Sequence, residues 1–223
     1  MRRIGLLVLI LIPLLFYNAP HVSAAANAQI QNETTYVDSL GWFHVVGEVS
    51  NTGDVALVYV KITGTMKNSN GQVVDVEFTY AYADYLPARS KSPFDLTVLD
   101  KEKSSRIVSY SLVLEFKQAT STLPSSLQVV NTSKSTNSLG WLDVVGEVKN
   151  KGSETSNYTK VIATFYDSTG KVIYGGFTYT SPSDIPAGQA YGFKISLLDS
   201  TIVSHVASYE LFAESNQYTS LQA

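Results

Sequence analysis

The chain has 223 residues, of which 44% are hydrophobic and 16% charged, a balance typical of globular domains rather than of disorder. Its formal net charge is −3 and it has no cluster of Lys and Arg, which argues against nucleic-acid binding, since that binding rests on neutralising phosphates. Cysteine is absent, which excludes disulfides, thiolate metal ligands and cysteine nucleophiles. Fourteen tyrosines, with abundant Val and Thr, favour β-strands.

The N-terminus has the pattern of an export signal. Arg2 and Arg3 precede an apolar run over residues 4–17, and small residues follow at 22–26, so residues 1–26 are predicted to be a signal peptide. The apolar run is shorter than the roughly 20 residues of a membrane-spanning helix, which favours cleavage; the alternative is an uncleaved anchor formed by residues 4–17. Both alternatives predict a secreted or cell-surface protein that meets the membrane only through this segment.

The rest of the chain repeats itself. At an offset of 99 residues, roughly 30 positions match without a gap. Ser39–Trp42 recurs as Ser138–Trp141, and Val45–Val49 recurs as Val144–Val148. The predicted organisation is a first repeat at 27–116, a Ser/Thr-rich linker at 117–126, a second repeat at 127–215 and a polar tail at 216–223.

Each repeat shows the period of two that is typical of strands with one buried face. In the first repeat, Val60, Ile62 and Met66 alternate with polar residues, and in the second repeat Val161 and Phe165 do the same. Turns rich in Asn, Asp and Gly separate the strands. We therefore expect an all-β protein of two tandem, antiparallel, immunoglobulin-like β-sandwiches, with Trp42 and Trp141 in their cores.

The second repeat resembles a known family. The segments 146–150, 163–167, 170–172 and 185–188, with the sequences GEVKN, ATFYD, GKV and IPAG, are similar to those of the FxLYD domain family. The first repeat departs from the pattern where Met66-Lys67-Asn68 replaces Phe165-Tyr166-Asp167. The resemblance implies small β-sandwich modules in exported or membrane-anchored prokaryotic proteins, and it implies no particular activity.

No constellation for catalysis is apparent. A histidine base needs an orienting acid and a nucleophile, yet His44 aligns with Asp143, and His205 aligns with Arg106. We interpret both histidines as surface residues. Glu48 and its counterpart Glu147 are interpreted as strand glutamates that meet a lysine or solvent. The sequence therefore predicts no catalytic residue and no enzyme.

Metal and cofactor sites are not predicted either. Asp100, Glu102 and Asp167 lack the ordered spacing of the six to eight oxygen ligands that calcium requires, and Asp167 is expected to cap its turn. Three Asn-x-Ser/Thr motifs, at Asn32, Asn131 and Asn157, are candidate glycosylation sites in an exported chain.

A group of aromatic residues near the middle of the first repeat is the strongest candidate for a binding surface. Phe78, Tyr80 and Tyr82 share one strand face by alternation, and Tyr85 follows. Tyrosine combines a rigid apolar ring with a polar tip, which suits a protein partner or a sugar ring; the alternative is core packing. Tyr80, Tyr82 and Tyr85 are therefore the predicted partner surface.

Together these features predict a non-enzymatic, exported binding module with an unknown protein or glycan partner at the cell surface. The alternative is a structural spacer of the cell surface that binds no discrete ligand. An enzyme is the third and weakest hypothesis.

Overall fold

The computed structural model describes residues 25–221, and over that range the regular secondary structure is almost entirely β-strand. The predicted signal segment lies outside the described residues except for its last two. Among the described residues, no helix has both the length and the apolar character needed to cross a membrane.

The first half of the chain forms two antiparallel sheets. Its elements are β1 (Ala28–Val37), β2 (Phe43–Asn51), β3 (Leu57–Lys67), β4 (Val73–Tyr80), β5 (Tyr85–Leu86), β6 (Lys91–Val98), α1 (Lys101–Ser104) and β7 (Ser109–Gln118). One sheet has the order β1-β2-β6. In the other sheet, β3 pairs with β4, β5 and β7.

The second half repeats these elements except β5, which is reduced to an isolated bridge between Ser156 and Ile185, and adds one strand at its end. Its elements are β8 (Ser125–Thr136), β9 (Leu142–Asn150), β10 (Lys160–Tyr166), β11 (Val172–Tyr179), β12 (Ala190–Leu197), α2 (Ser200–Val203), β13 (Ser208–Glu214) and β14 (Thr219–Ser220). β14 pairs with both β13 and β8, so the strands form one hydrogen-bonded order, β11-β10-β13-β14-β8-β9-β12. The prediction of a polar tail over residues 216–223 was therefore wrong for Tyr218 and β14, which are buried.

The strand pairing repeats at the same offset as the sequence. Lys61 pairs with Glu115 as Lys160 pairs with Glu214, and Glu48 pairs with Pro93 as Glu147 pairs with Gly192. A bulge follows residue 31 in β1 and residue 130 in β8. A residue of one half therefore occupies the same place in its sheets as the residue 99 positions later.

The buried residues follow the predicted alternation in β3, but the same prediction was wrong for β10, which is buried on both faces. Val60, Ile62 and Met66 are buried in β3, as predicted. The prediction for the tryptophans was wrong, because Trp141 is exposed and Trp42 is only partly buried. Each follows a tight turn in which Asp38 or Asn137 accepts the hydrogen bond of the Trp backbone N–H, so each ring lies beside a turn rather than inside a sandwich.

The one-turn helices α1 and α2 were not predicted. Asp100 caps α1 and Asp199 caps α2 through their side chains. One turn is too short to give a hydrophobic period of 3.6 residues.

The two halves pack on each other through their sheets. We call the outer surface of β1-β2-β6 face A, and we use the same name for the equivalent surface of β8-β9-β12 in the second half. We call the outer surface of β4-β3-β7 face B, and likewise the equivalent surface of β11-β10-β13. Face A of the first half packs on face B of the second. Val46, Tyr166 and Val172 form a buried cluster across this boundary, with Tyr36 packed against it. Ile162 and Phe212 of the second half belong to the core cluster of the first.

Candidate interaction site

His44 is buried and not on the surface, so the prediction of a surface histidine was wrong for this residue. Its ring stacks on Tyr36 with 4.5 Å between centroids, and its Nδ1 lies 2.9 Å from Asp95. Its Nε2 lies 3.5 Å from Asp38. Burial by itself lowers the pKa of His44, but Asp95 and Asp38 raise it further, and the net pKa is above the ordinary value.

The second half has the same cross-strand pair with its charges exchanged. Asp143 replaces His44, Lys194 replaces Asp95, and the Lys194 ammonium lies 2.8 Å from the Asp143 carboxylate. An ion pair that is kept with reversed polarity indicates a role in holding the strands together rather than in proton transfer. His205 is exposed, with Nδ1 2.9 Å from the carbonyl oxygen of Thr201.

Glu48 is completely buried in the boundary between the halves. Its carboxylate accepts hydrogen bonds from the Tyr166 hydroxyl at 2.7 Å, from Gln31 at 2.8 Å and from Asn32 at 2.9 Å. The Lys91 ammonium lies 3.4 Å away. Burial, together with the hydrogen bond to Glu48, raises the pKa of Tyr166 well above its ordinary value, so the phenol stays a hydrogen-bond donor. Glu48 therefore has a lysine partner, as expected, and a second-half partner that the sequence did not indicate.

The two matched asparagines have a structural task. Asn32 and Asn131 take positive φ angles of 56° and 53° at the bulges of β1 and β8, a conformation that asparagine tolerates better than most residues. From there Asn131 donates to Glu147 at 2.7 Å, just as Asn32 donates to Glu48. Asn32 and Asn157 are partly buried and Asn131 is exposed. Glycosylation at the three asparagines stays a prediction.

A buried ion cluster anchors a turn of the first half on face B of the second half. The Lys160 ammonium donates to the Tyr82 carbonyl at 2.8 Å and to the Asp84 carboxylate at 2.5 Å, and it lies 2.8 Å from the Glu214 carboxylate. Glu214 in turn accepts from the backbone N–H groups of Asp84 and Tyr85. Burial lowers the pKa of Lys160, but Glu214 and Asp84 raise it further, so the lysine stays charged.

Aromatic rings complete this docking site. The Tyr82 ring meets Phe177 edge-on with 5.6 Å between centroids, and Phe177 meets Tyr179 in the same way at 6.2 Å. Lys160 lies 5.6 Å from the Phe177 centroid. We call Lys160, Phe177, Tyr179 and Glu214 the turn socket.

The structure does not bring the three tyrosines of the predicted partner surface onto one exposed face. Tyr80 is exposed, Tyr82 packs against the second half, and Tyr85 is buried with its hydroxyl bonded to the Ser121 carbonyl. β4 ends at Tyr80, so strand alternation does not apply to the residues that follow. Tyr80 and Tyr85 do line one groove, of about 750 Å³, whose other side includes Tyr59 and Lys117.

The first half carries its own exposed copy of the turn socket. Lys61 lies 4.7 Å from the centroid of Phe78, Phe78 meets Tyr80 edge-on at 6.1 Å, and Glu115 lies 3.8 Å from Lys61. Phe78 is 58% exposed and Tyr80 48% exposed. Val76 and Val113, both also exposed, extend this surface. We call Val76, Phe78, Tyr80 and Val113 the aromatic patch.

The two copies of face B differ at their centre but not at their aromatic edge, because Phe177 and Tyr179 are 51% and 48% exposed, much like Phe78 and Tyr80. Phe212 in the second half is 2% exposed because the first half covers it, whereas its counterpart Val113 is 59% exposed. Sequence reasoning found Phe78 and Tyr80 but missed Lys61 and Glu115. The signal was available, because both residues are identical in the two repeats.

The acidic residues considered as metal ligands have other partners. Asp167 accepts hydrogen bonds from the backbone of Thr169 and Lys171, which confirms its role in the turn. Asp100 accepts from the backbone of Lys103. Over residues 25–221, no group of three or more His, Asp or Glu residues is placed to hold a metal ion.

Comparisons with known proteins give no family. No family model matches the chain, and no curated protein matches it. Among solved structures, an exo-chitosanase of Amycolatopsis orientalis is similar with 11% identity and a TM-score of 0.32, over 86% of this chain and 26% of that one. A red sea bream transglutaminase is similar with 11% identity and a TM-score of 0.29, over 87% and 30%. This chain spans under a third of the length of either enzyme.

Proposed function

We propose that this chain is an exported, non-enzymatic interaction module that binds a macromolecular partner through the aromatic patch. The supporting observation is the centre of face B, which the first half covers at Phe212 but which stays open at Val113. There it continues the exposed surface of Phe78 and Tyr80, beside a lysine and a glutamate. Exposed aromatic side chains flanked by charge are typical of interface centres.

The proposal includes the architecture and location expected from the sequence. Each half is proposed to be an immunoglobulin-like sandwich. The two antiparallel sheets of the first half, and the repeat of their strand pairing in the second, support this. Two tandem FxLYD-type domains, of which the second matches the family better, and export through residues 1–26 remain part of the proposal on the sequence features alone.

A structural spacer is the second candidate, and the buried contact between the halves favours it. Glu48, Lys160 and Glu214 are buried and bonded across or beside that contact, which fixes the angle between the halves. A rigid pair of domains suits a spacer as well as it suits a presented binding surface.

Site-specific photo-crosslinking separates these candidates. A photoreactive amino acid at Phe78, in the exported chain within the native cell envelope, should give one discrete cross-linked species. Leu99 is a matched control, because it is equally exposed but lies after β6 and outside the patch. A binding module predicts a product at position 78 and none at 99. No product at 78, or the same products at both positions, would contradict the binding function.

A further inference from the structure

The partner that fits the open face B of the first half, with the aromatic patch at its edge, is, we infer, face A of the second half of another copy of this chain, docked as the two halves dock within one chain. This inference rests on the proposed function and names its partner. It begins with a geometric fact: the strand registers of both sheets repeat at the offset of 99 residues. Each contact between face A of the first half and face B of the second half therefore has a counterpart on the two outward faces.

The first counterpart contact is one of charge. Within the chain, Tyr166 of face B donates to Glu48 of face A. The equivalent residues are Lys67 on face B of the first half and Glu147 on face A of the second half. The outward pair therefore keeps a hydrogen-bond donor opposite a glutamate, with lysine in place of tyrosine. The two outward faces also carry opposite charges at this position.

The second counterpart contact is one of size. Within the chain, Gly175 of face B makes room for Pro93 of face A, because a Cβ at residue 175 would lie 2.9 Å from the proline ring. At the equivalent positions the larger residue lies on the opposite face: Val76 is on face B and Gly192 is on face A. When the two outward faces dock, the side chain of Val76 therefore occupies the space beside Gly192 that Pro93 fills in the first half.

At the third counterpart position, an ion pair is absent from both outward faces. Lys91 of face A lies 3.2 Å from Glu210 of face B across the boundary. Their equivalents are Ala190 and Ser111, so at this position neither outward face carries a charge. Burying a lone charge would oppose docking strongly, and the paired replacement avoids that cost.

The outward contact is weaker than the one inside the chain. Thr63 and Val113 replace Ile162 and Phe212, which removes apolar area from its centre. Ser181 replaces Tyr82, so the socket of the first half receives no aromatic ring. We expect a dissociation constant on the order of 100 µM. Because the contact joins two different faces, it adds copies head to tail and does not close a two-fold dimer.

Charge exchange tests this contact in the purified exported chain. Sedimentation velocity from about 10 µM to 1 mM should show mass rising with concentration. Lys67→Glu alone and Glu147→Lys alone should each abolish the rise by placing like charges opposite each other, and the double variant should restore it. Lys151→Glu makes the same charge change at an exposed residue off both faces and should leave the rise intact.

The outcomes also separate this inference from the proposed function. A monomer at all concentrations, or association that is insensitive to the single substitutions, overturns self-docking. If position 78 then still cross-links to a different molecule, the binding function stands with another partner. A cross-linked product with the mass of two copies supports self-docking, and the absence of both association and cross-links overturns both proposals.

Discussion

The hydroxyl of Tyr166 lies 2.7 Å from the carboxylate of Glu48, and the two residues come from different halves of the chain. Glu48 has no exposed surface, so its negative charge depends on the donors around it. The sheet stacking that this bond helps to fix also determines which face B is covered and which remains open.

Replacing Tyr166 with Phe removes one donor from a buried carboxylate while keeping the ring. We expect the free energy of unfolding to fall by about 1 to 3 kcal/mol, measured by chemical denaturation. Tyr158→Phe removes a hydroxyl from an exposed ring and should change stability by less than about 0.5 kcal/mol. Equal effects of the two substitutions would argue against a role for the Glu48 hydrogen bond.

Replacing Lys160 with Met leaves Glu214 buried without its cation. The expected loss of stability is about 3 to 5 kcal/mol, because an uncompensated buried charge is expensive. The matched control is Lys61→Met, which breaks the equivalent pair on the exposed face and should cost less than about 1 kcal/mol. A similar loss at both lysines would show that covering by the first half does not matter.

Substitutions at Asn32 separate backbone strain from the hydrogen bond. Both Asn32→Gly and Asn32→Ala remove the bond to Glu48, but only alanine strains the positive φ of 56°. The alanine variant should therefore be less stable than the glycine variant by about 1 kcal/mol. The opposite order in equilibrium unfolding would contradict the assignment of the bulge.

His44 should make stability depend on pH. Its pKa is raised in the folded state by Asp95 and Asp38, so its contribution is present at low pH and is lost as pH rises through the folded-state pKa. Tyr36 and Thr97 also contact the ring but are not charged in this range. The unfolding free energy should fall as pH rises above about 6.5, the ordinary pKa of histidine, until it passes the raised pKa of the folded state.

Asp95→Asn removes the larger of the two carboxylate effects and should flatten that fall. Asp54→Asn, which removes an exposed carboxylate that pairs with Arg89 and not with His44, should leave it unchanged. An unchanged slope in the Asp95 variant would mean that another group produces the pH dependence.

The strands were predictable because burial of one face fixes a period of two, as in Val60, Ile62 and Met66. Asp167 was predictable because its turn chemistry is local. Glu48 and Tyr82 were misjudged or incompletely described because their environment depends on the other half of the chain, and His44 because its partners lie on neighbouring strands, which no local pattern reports. The turn socket needed one further step, namely noticing that Lys61 and Glu115 recur as Lys160 and Glu214.

The dependence of backbone NMR shifts on concentration tests the central claim most directly. Raising the concentration of the exported chain should move the amide signals of β3, β4 and β7 together with those of β8, β9 and β12, and leave the buried boundary between the halves unmoved. Concentration-independent spectra, or shifts confined to other surfaces, would contradict the docking of the open face B on a second copy.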